Sequence, residues 1–309
     1  MPSRLTVVFV SLLLATPVII FWLWLVILPT RVAIECPEEC RCKADGYYIK
    51  CSDSGLNSIP SNIPTHVRLL VRHGNNITYF LNSTFVFRGL VDLQILKADL
   101  CEVRKIELGA FSGLTKLIIL SMKGNKISEI IPGTFENISH LEYLRLDNNV
   151  IVNLESDVFN GLVNLKHINL KGNKLQYLHP DTFLALSNLQ RLNLSENVSL
   201  QIPSDRPFIN SFCLKYLDVS GCNITSVSLE TFSNIIALEW LDLSENNLRN
   251  VVQYLTVMNL KNDGKSEITP GTFENFTRYE YLHLDNNRTK HSDINIFYGL
   301  FNLKYVNLQ

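Results

Sequence analysis

Charge of one sign is what this 309-residue chain most plainly lacks. Its 28 Lys and Arg stand against 29 Asp and Glu, leaving a formal net charge of −1. Without a basic excess there is no electrostatic grip on a phosphate backbone, so nucleic acid is excluded as the main partner. Glycine (14) and proline (11) are too few for a collagenous or low-complexity chain. Catalytic signatures are missing as well: there is no H-E-x-x-H, G-x-S-x-G, G-x-x-x-x-G-K or G-x-G-x-x-G. The seven histidines are scattered. His167 and His283 have no Cys or carboxylate partner at ligand spacing. The reading is therefore no enzyme, no metal and no cofactor.

What is present is apolar and repetitive. Hydrophobic residues make up 46% of the chain, enough for a core, which excludes global disorder. Leu occurs 48 times and Asn 31 times. The mean hydropathy of +0.10 is lifted by a single N-terminal run.

That run, Leu5 to Pro29, contains no charge. As a helix its 25 residues would reach roughly 37 Å, against a hydrocarbon core of roughly 30 Å. Pro17 interrupts it, and Ala33 is the best cleavage position, with Arg31 two residues before it. Residues 1–33 thus read as a signal peptide or an uncleaved N-terminal membrane anchor. Both deliver the remainder to the outside of the cell. Arg4 and Arg31 flank the run almost symmetrically, so charge does not orient it; the cysteines that follow do.

Cys36, Cys40, Cys42 and Cys51 crowd into 16 residues. Directly after an export signal, an even cluster reads as disulfides. Zinc fits poorly, because C-x3-C-x-C-x8-C lacks paired C-x2-C knuckles. Four cysteines permit three pairings.

An internal period organises the rest. The pattern L-x-x-L-x-L-x-x-N-x-L starts at Val67, Leu93, Leu117, Leu141, Leu165, Leu189, Leu214, Leu238, Leu255, Tyr279 and Leu303. The usual step is 24 residues; the exceptions are 26, 25 and a single 17 after Leu238. A phenylalanine follows at fixed offset, from Phe85 to Phe297, and only the repeat starting at Leu238 lacks it. The alternating L-x-L predicts a short strand with one leucine face. One strand cannot bury that face, but stacked copies form a parallel sheet over a continuous core. An asparagine ladder (Asn75, Asn125, Asn149, Asn173, Asn197, Asn246, Asn287) is placed to satisfy backbone groups where each strand turns away. Cys101 and Cys222 take that slot in two repeats as structural thiols, and Cys213 has no evident partner.

These repeats resemble the leucine-rich repeat family in its 24-residue extracellular form, shared by ectodomains of Toll-like receptors, Slit-type guidance proteins and insect adhesion receptors. The resemblance covers residues 36–309. It implies an α/β solenoid, a horseshoe with a parallel sheet on its concave face and irregular or short helical turns on its convex face. It also implies Cys36–Cys42 and Cys40–Cys51 pairing, a cysteine cap over 36–66, repeats over 67–309 and ligand binding. The family's C-terminal cysteine cap, a second span and a signalling domain are not in the sequence, which reads as a fragment or an incomplete gene model, with a naturally uncapped protein as the alternative.

Residues 120–170 align with 258–308 at 25 identities in 51 positions, pointing to a duplicated block. The second copy loses core residues: Ile127, Ile151 and Leu154 become Lys265, Thr289 and Ser292. With the 17-residue step, this predicts a packing defect near residues 251–255 and a looser end beyond it.

Strand positions facing away from the leucines fall into two columns: Tyr143, His167, Arg191, Tyr216, Trp240 and Tyr281, then Arg145, Asn169, Asn193, Asp218, Asp242 and His283. Aromatics beside Arg and Asp are the composition of protein–protein hot spots, so this face is the expected site for a protein ligand, with Trp240 its sharpest candidate. Eight N-x-S/T sequons fit a secreted surface. Asn76, Asn82, Asn137, Asn223 and Asn275 are the expected glycan acceptors. Asn197 and Asn287 are ladder residues, and Asn193 would carry its glycan on the concave face. Ligand recognition or adhesion as part of a cell-surface receptor is the expected role; a structural matrix protein is the alternative. Membrane contact would come through the N-terminal run or a missing C-terminal span.

Overall fold

The computed structural model describes residues 36–246, except 44–45, 83, 86–88, 204 and 226–230, together with three strand backbones at 257–259, 281–283 and 305–307. The N-terminal run, Asn275, Asn287 and the segment where a packing defect was expected lie outside the described residues.

Leu141, Leu144 and Leu146 show how the repeat becomes a coil. All three are buried, while Tyr143 and Arg145 between them are exposed. The strand is only Tyr143–Arg145, and it pairs parallel with Ile119–Ser121 before it and His167–Asn169 after it. Every one of the eleven repeat starts is followed two residues later by such a strand. Together with Arg41–Cys42 and Tyr48–Lys50 they form a thirteen-stranded sheet in chain order. The short repeat keeps register too, since Leu241 pairs with Met258, 17 residues on.

The strands stop after three residues because the chain then turns through a left-handed residue. Gly124 (φ 67°), Asn148 (φ 56°) and Gly172 (φ 64°) hold that place, just before the ladder. Glycine and asparagine adopt it at low cost, whereas Glu196 (φ 59°) adopts it against the usual steric penalty.

The ladder then joins coil to coil. Asn149 Oδ1 accepts from the Ile127 N–H at 3.1 Å, and its Nδ2 donates to the Met122 and Leu146 carbonyls at 3.0 and 2.9 Å. Asn125, Asn173, Asn197 and Asn246 repeat this arrangement, each nearly or wholly buried. The thiols donate where the amide would: Cys222 Sγ to the Leu194 carbonyl at 3.2 Å, and Cys101 Sγ to the Arg72 carbonyl. At Cys101 the acceptor half is replaced by backbone, with the Ile77 N–H donating to the Cys101 carbonyl at 2.8 Å. Burial pushes the Cys222 thiol up to about 12 and raises that of Cys101, so both stay protonated donors at neutral pH.

Behind the sheet runs a phenylalanine spine. Phe85, Phe111, Phe135, Phe159 and Phe183 are buried, and successive rings stack 5.7–6.2 Å apart within 17° of parallel. The convex side is otherwise irregular. Among the described residues it carries two short parallel pairs, Tyr79–Phe80 with Lys105–Ile106 and Asn153–Leu154 with Tyr177–Leu178. A 3₁₀ turn, Pro180–Phe183, is capped by His179 Nδ1 accepting from the Asp181 N–H at 3.1 Å. There is no α-helix among the described residues.

The N-terminal end is closed by disulfides Cys36–Cys42 and Cys40–Cys51, with Cα separations of 5.8 and 4.2 Å. They hold the antiparallel hairpin Arg41↔Lys50, whose second strand starts the parallel sheet. Asn75 bonds the hairpin to the first coil: its Nδ2 donates to the Cys51 carbonyl at 2.6 Å, and its Oδ1 accepts from the Leu56 N–H at 3.0 Å. One feature had no warning in the pattern: Arg72 is wholly buried in a slot that other coils fill with Ala98, Met122, Leu146, Leu170 or Leu194.

Candidate functional site

Strand pleating sends two of every three strand residues to the concave face, and the unbroken register stacks them in columns about 4.8 Å apart. The first column holds two groups of contacting side chains, which the parallel register sets side by side at His167 and Arg191. The Tyr143 and His167 rings stack at 4.6 Å and 5°. The Arg191 guanidinium lies 4.2 Å from the Tyr216 ring centroid, a cation–π geometry. Tyr216 and Trp240 approach to 6.5 Å. Tyr143 and Arg191 are exposed, while His167, Tyr216 and Trp240 are half-buried. Trp240 therefore lies partly covered beside Tyr216 instead of standing free in solvent. The His167 imidazole is held below its usual range, first by burial and then by the charges of Arg191 and Lys166, against the opposing pull of Glu142. At pH 7 it is a neutral ring on a neutral ring.

The second column behaves differently. Asn169, Asn193, Asp218 and Asp242 each accept the backbone N–H two residues on, at 3.1, 2.9, 3.0 and 2.8 Å. These Asx-turns end the strand. Asn193 also donates from Nδ2 to Asp218 Oδ2 at 3.0 Å, and Asp218 Oδ1 accepts the Ser220 hydroxyl at 2.7 Å. Arg145 pairs with the buried Asp147 at 3.3 Å, and Lys123 reaches the same carboxylate at 3.5 Å. What looked in sequence like recognition polarity is in large part turn chemistry.

Both columns line one open groove of about 710 Å³. It brings together Tyr143, Arg145, His167, Asn169, Arg191, Tyr216, Asp218 and Trp240; Asp242 lies one strand beyond Asp218, in register with it. The groove also takes in Lys97, Asp99, Ile119 and Ser121. The aromatic columns start at Tyr143 and give no signal of these residues; the same strand phase carried two repeats upstream reaches Lys97, Ile119 and Ser121. Tyr281 and His283 extend the columns by backbone register alone.

The sequons sort by position. Asn76, Asn82, Asn137 and Asn223 are exposed and lie off the strands. Asn197 is fully buried in the ladder. Asn193 is half-buried, and its Nδ2, the atom that would carry a glycan, is bonded to Asp218.

Stacked parallel coils joined by a buried asparagine ladder and closed by a disulfide-bonded hairpin define a repeat solenoid. Comparison with known proteins agrees. The family described as Leucine rich repeat matches residues 92–151, 139–198 and 213–254. The chain is a leucine-rich repeat protein with an N-terminal cysteine cap. It is 34% identical over 104 residues to Leucine-rich repeat-containing G-protein coupled receptor 5A of Xenopus laevis, covering 33% of this chain and 11% of that one. It is 29% identical over 116 residues to human Leucine-rich repeat-containing protein 3B, covering 37% of this chain and 44% of the relative. The chain thus spans less than half the length of these relatives. Among solved structures, a chain of the Drosophila Toll–Spatzle complex superposes with a TM-score of 0.65 at 23% identity, over 79% of this chain and 33% of that one.

Proposed function

We propose that this chain is the ligand-recognition part of a protein displayed or secreted outside the cell, and that its concave face binds a protein ligand. The observation that carries the reading is the in-register column from Tyr143 to Trp240, with its stacked Tyr143–His167 pair and its Arg191–Tyr216–Trp240 group. It presents a run of large, rigid, amphipathic side chains in one groove, the composition and geometry of hot spots. Catalysis has no comparable support in the sequence. Disulfides and exposed sequons suit an oxidising, exported setting. Relatives named as receptors, and a structural neighbour solved in the Toll–Spatzle complex, favour recognition over a purely structural matrix role.

The test is a binding screen of the secreted chain against a panel of cell-surface and secreted proteins, repeated with Tyr216→Ala and Trp240→Ala. Truncating a hot spot costs about 2 kcal/mol or more, roughly a thirtyfold loss of affinity. Ligands that bind both variants as well as the parent would place recognition elsewhere.

A further inference from the structure

Each interior strand of the sheet has both edges paired, so no ligand can bind this face by adding a strand. Recognition here must come through side chains, and their charges are not evenly distributed. On the earlier coils, Lys50, Lys97, Lys123 and Arg145 outnumber the carboxylates of Asp53, Asp99 and Asp147. On the later coils the balance reverses. Asp218, Asp242, Glu196 and Glu245 stand against Arg191 and Lys171, and Lys171 is itself paired with Glu196 at 2.8 Å. Hydrogen bonding in the Asx-turns occupies the Asp218 oxygens without removing the charge.

From the Lys97 strand to the Asp242 strand is six strand steps, about 29 Å at 4.8 Å each. That is several times the roughly 8 Å screening length at physiological salt, so the two ends do not cancel one another. Between them lies the largely neutral aromatic column. We infer that the groove is built for an extended polypeptide segment of the partner, about nine residues long at roughly 3.3 Å each. Its middle is aromatic or aliphatic; an acidic end lies toward Lys97 and Arg145, and a basic end toward Asp218 and Asp242. This deepens the proposed function and rests on it.

The test uses the secreted chain and two synthetic peptides of about twelve residues and identical composition. One carries Glu at one end, Tyr and Leu in the middle and Lys at the other end; the second distributes the same charges alternately. Fluorescence anisotropy at about 0.15 M salt reads both affinities. The expected result is at least tenfold tighter binding of the segregated peptide. That preference should be lost in Asp218→Asn with Asp242→Asn, substitutions that keep the turn acceptors and remove the charge. Equal binding of both peptides, abolished by Trp240→Ala, would overturn the charge assignment and leave the recognition face standing. Binding by the parent no better than by Trp240→Ala would overturn both.

Discussion

Asn149 joins two coils with one side chain, and its neighbours in the ladder do the same. Replacing it with Ala leaves the buried Ile127 N–H without a partner and takes one of two amide donors from each of the Met122 and Leu146 carbonyls, which keep Asn125 and Asn173. The expected cost is about 3 kcal/mol, read from chemical denaturation. Asn149→Cys should cost clearly less, because the slot already holds thiols at Cys101 and Cys222 that donate to a carbonyl. At His167 the folded state depresses the imidazole. A depressed value means that the unfolded chain binds the proton more readily as pH falls below about 6.5. The stability from neutral His167 is complete above that range and lost as pH falls toward the lower folded value. An NMR titration should place His167 below the ordinary imidazole value, and His167→Gln should flatten the fall in Tm between pH 7 and 5. Titration at or above the ordinary value would contradict the stacked environment. Both the ladder and its cysteines were legible from period alone. The Asx-turns of Asn169, Asn193, Asp218 and Asp242 were not. Asn or Asp at a strand end has the same identity whether it reaches toward a ligand or toward its own backbone, and only the geometry separates the two.

The coil is the unit in which sequence and structure agree most closely. All eleven repeat starts predicted their strands, the 17-residue step included, because a period-two leucine pair and a turn residue recur in fixed phase. The convex pairs of two residues each, such as Asn153–Leu154, were invisible because two residues show no period. The buried Arg72 broke the leucine row without announcing whether it pointed in or out. The phenylalanine spine is the element-scale counterpart of the ladder. Phe135→Ala removes a ring stacked at 6.0 Å on Phe111 and 6.1 Å on Phe159 and should cost about 3–5 kcal/mol. Phe135→Leu should cost appreciably less in the same denaturation series, since it fills most of the volume.

Over the whole molecule, coils contact chiefly their neighbours, so stability builds up along the stack and an open end unravels first. The disulfide-bonded hairpin guards one end. Loop-closure entropy puts each bond, closing 6 and 11 residues, at about 2–3 kcal/mol. After reduction, hydrogen exchange should accelerate first in the hairpin and the strand Leu69–Val71, and only later near Tyr143. Simultaneous loss along the stack would mean that the cap is not a local closure.

One continuous sheet turns a clear face outward, with the asparagine ladder sealed inside. Peptide-level mass spectrometry of the chain secreted from eukaryotic cells tests this most directly. Carbohydrate is expected on Asn76, Asn82, Asn137 and Asn223, with Asn193 and Asn197 bare. A glycan on Asn197 would mean that the ladder is open, and one on Asn193 would mean that the face is covered.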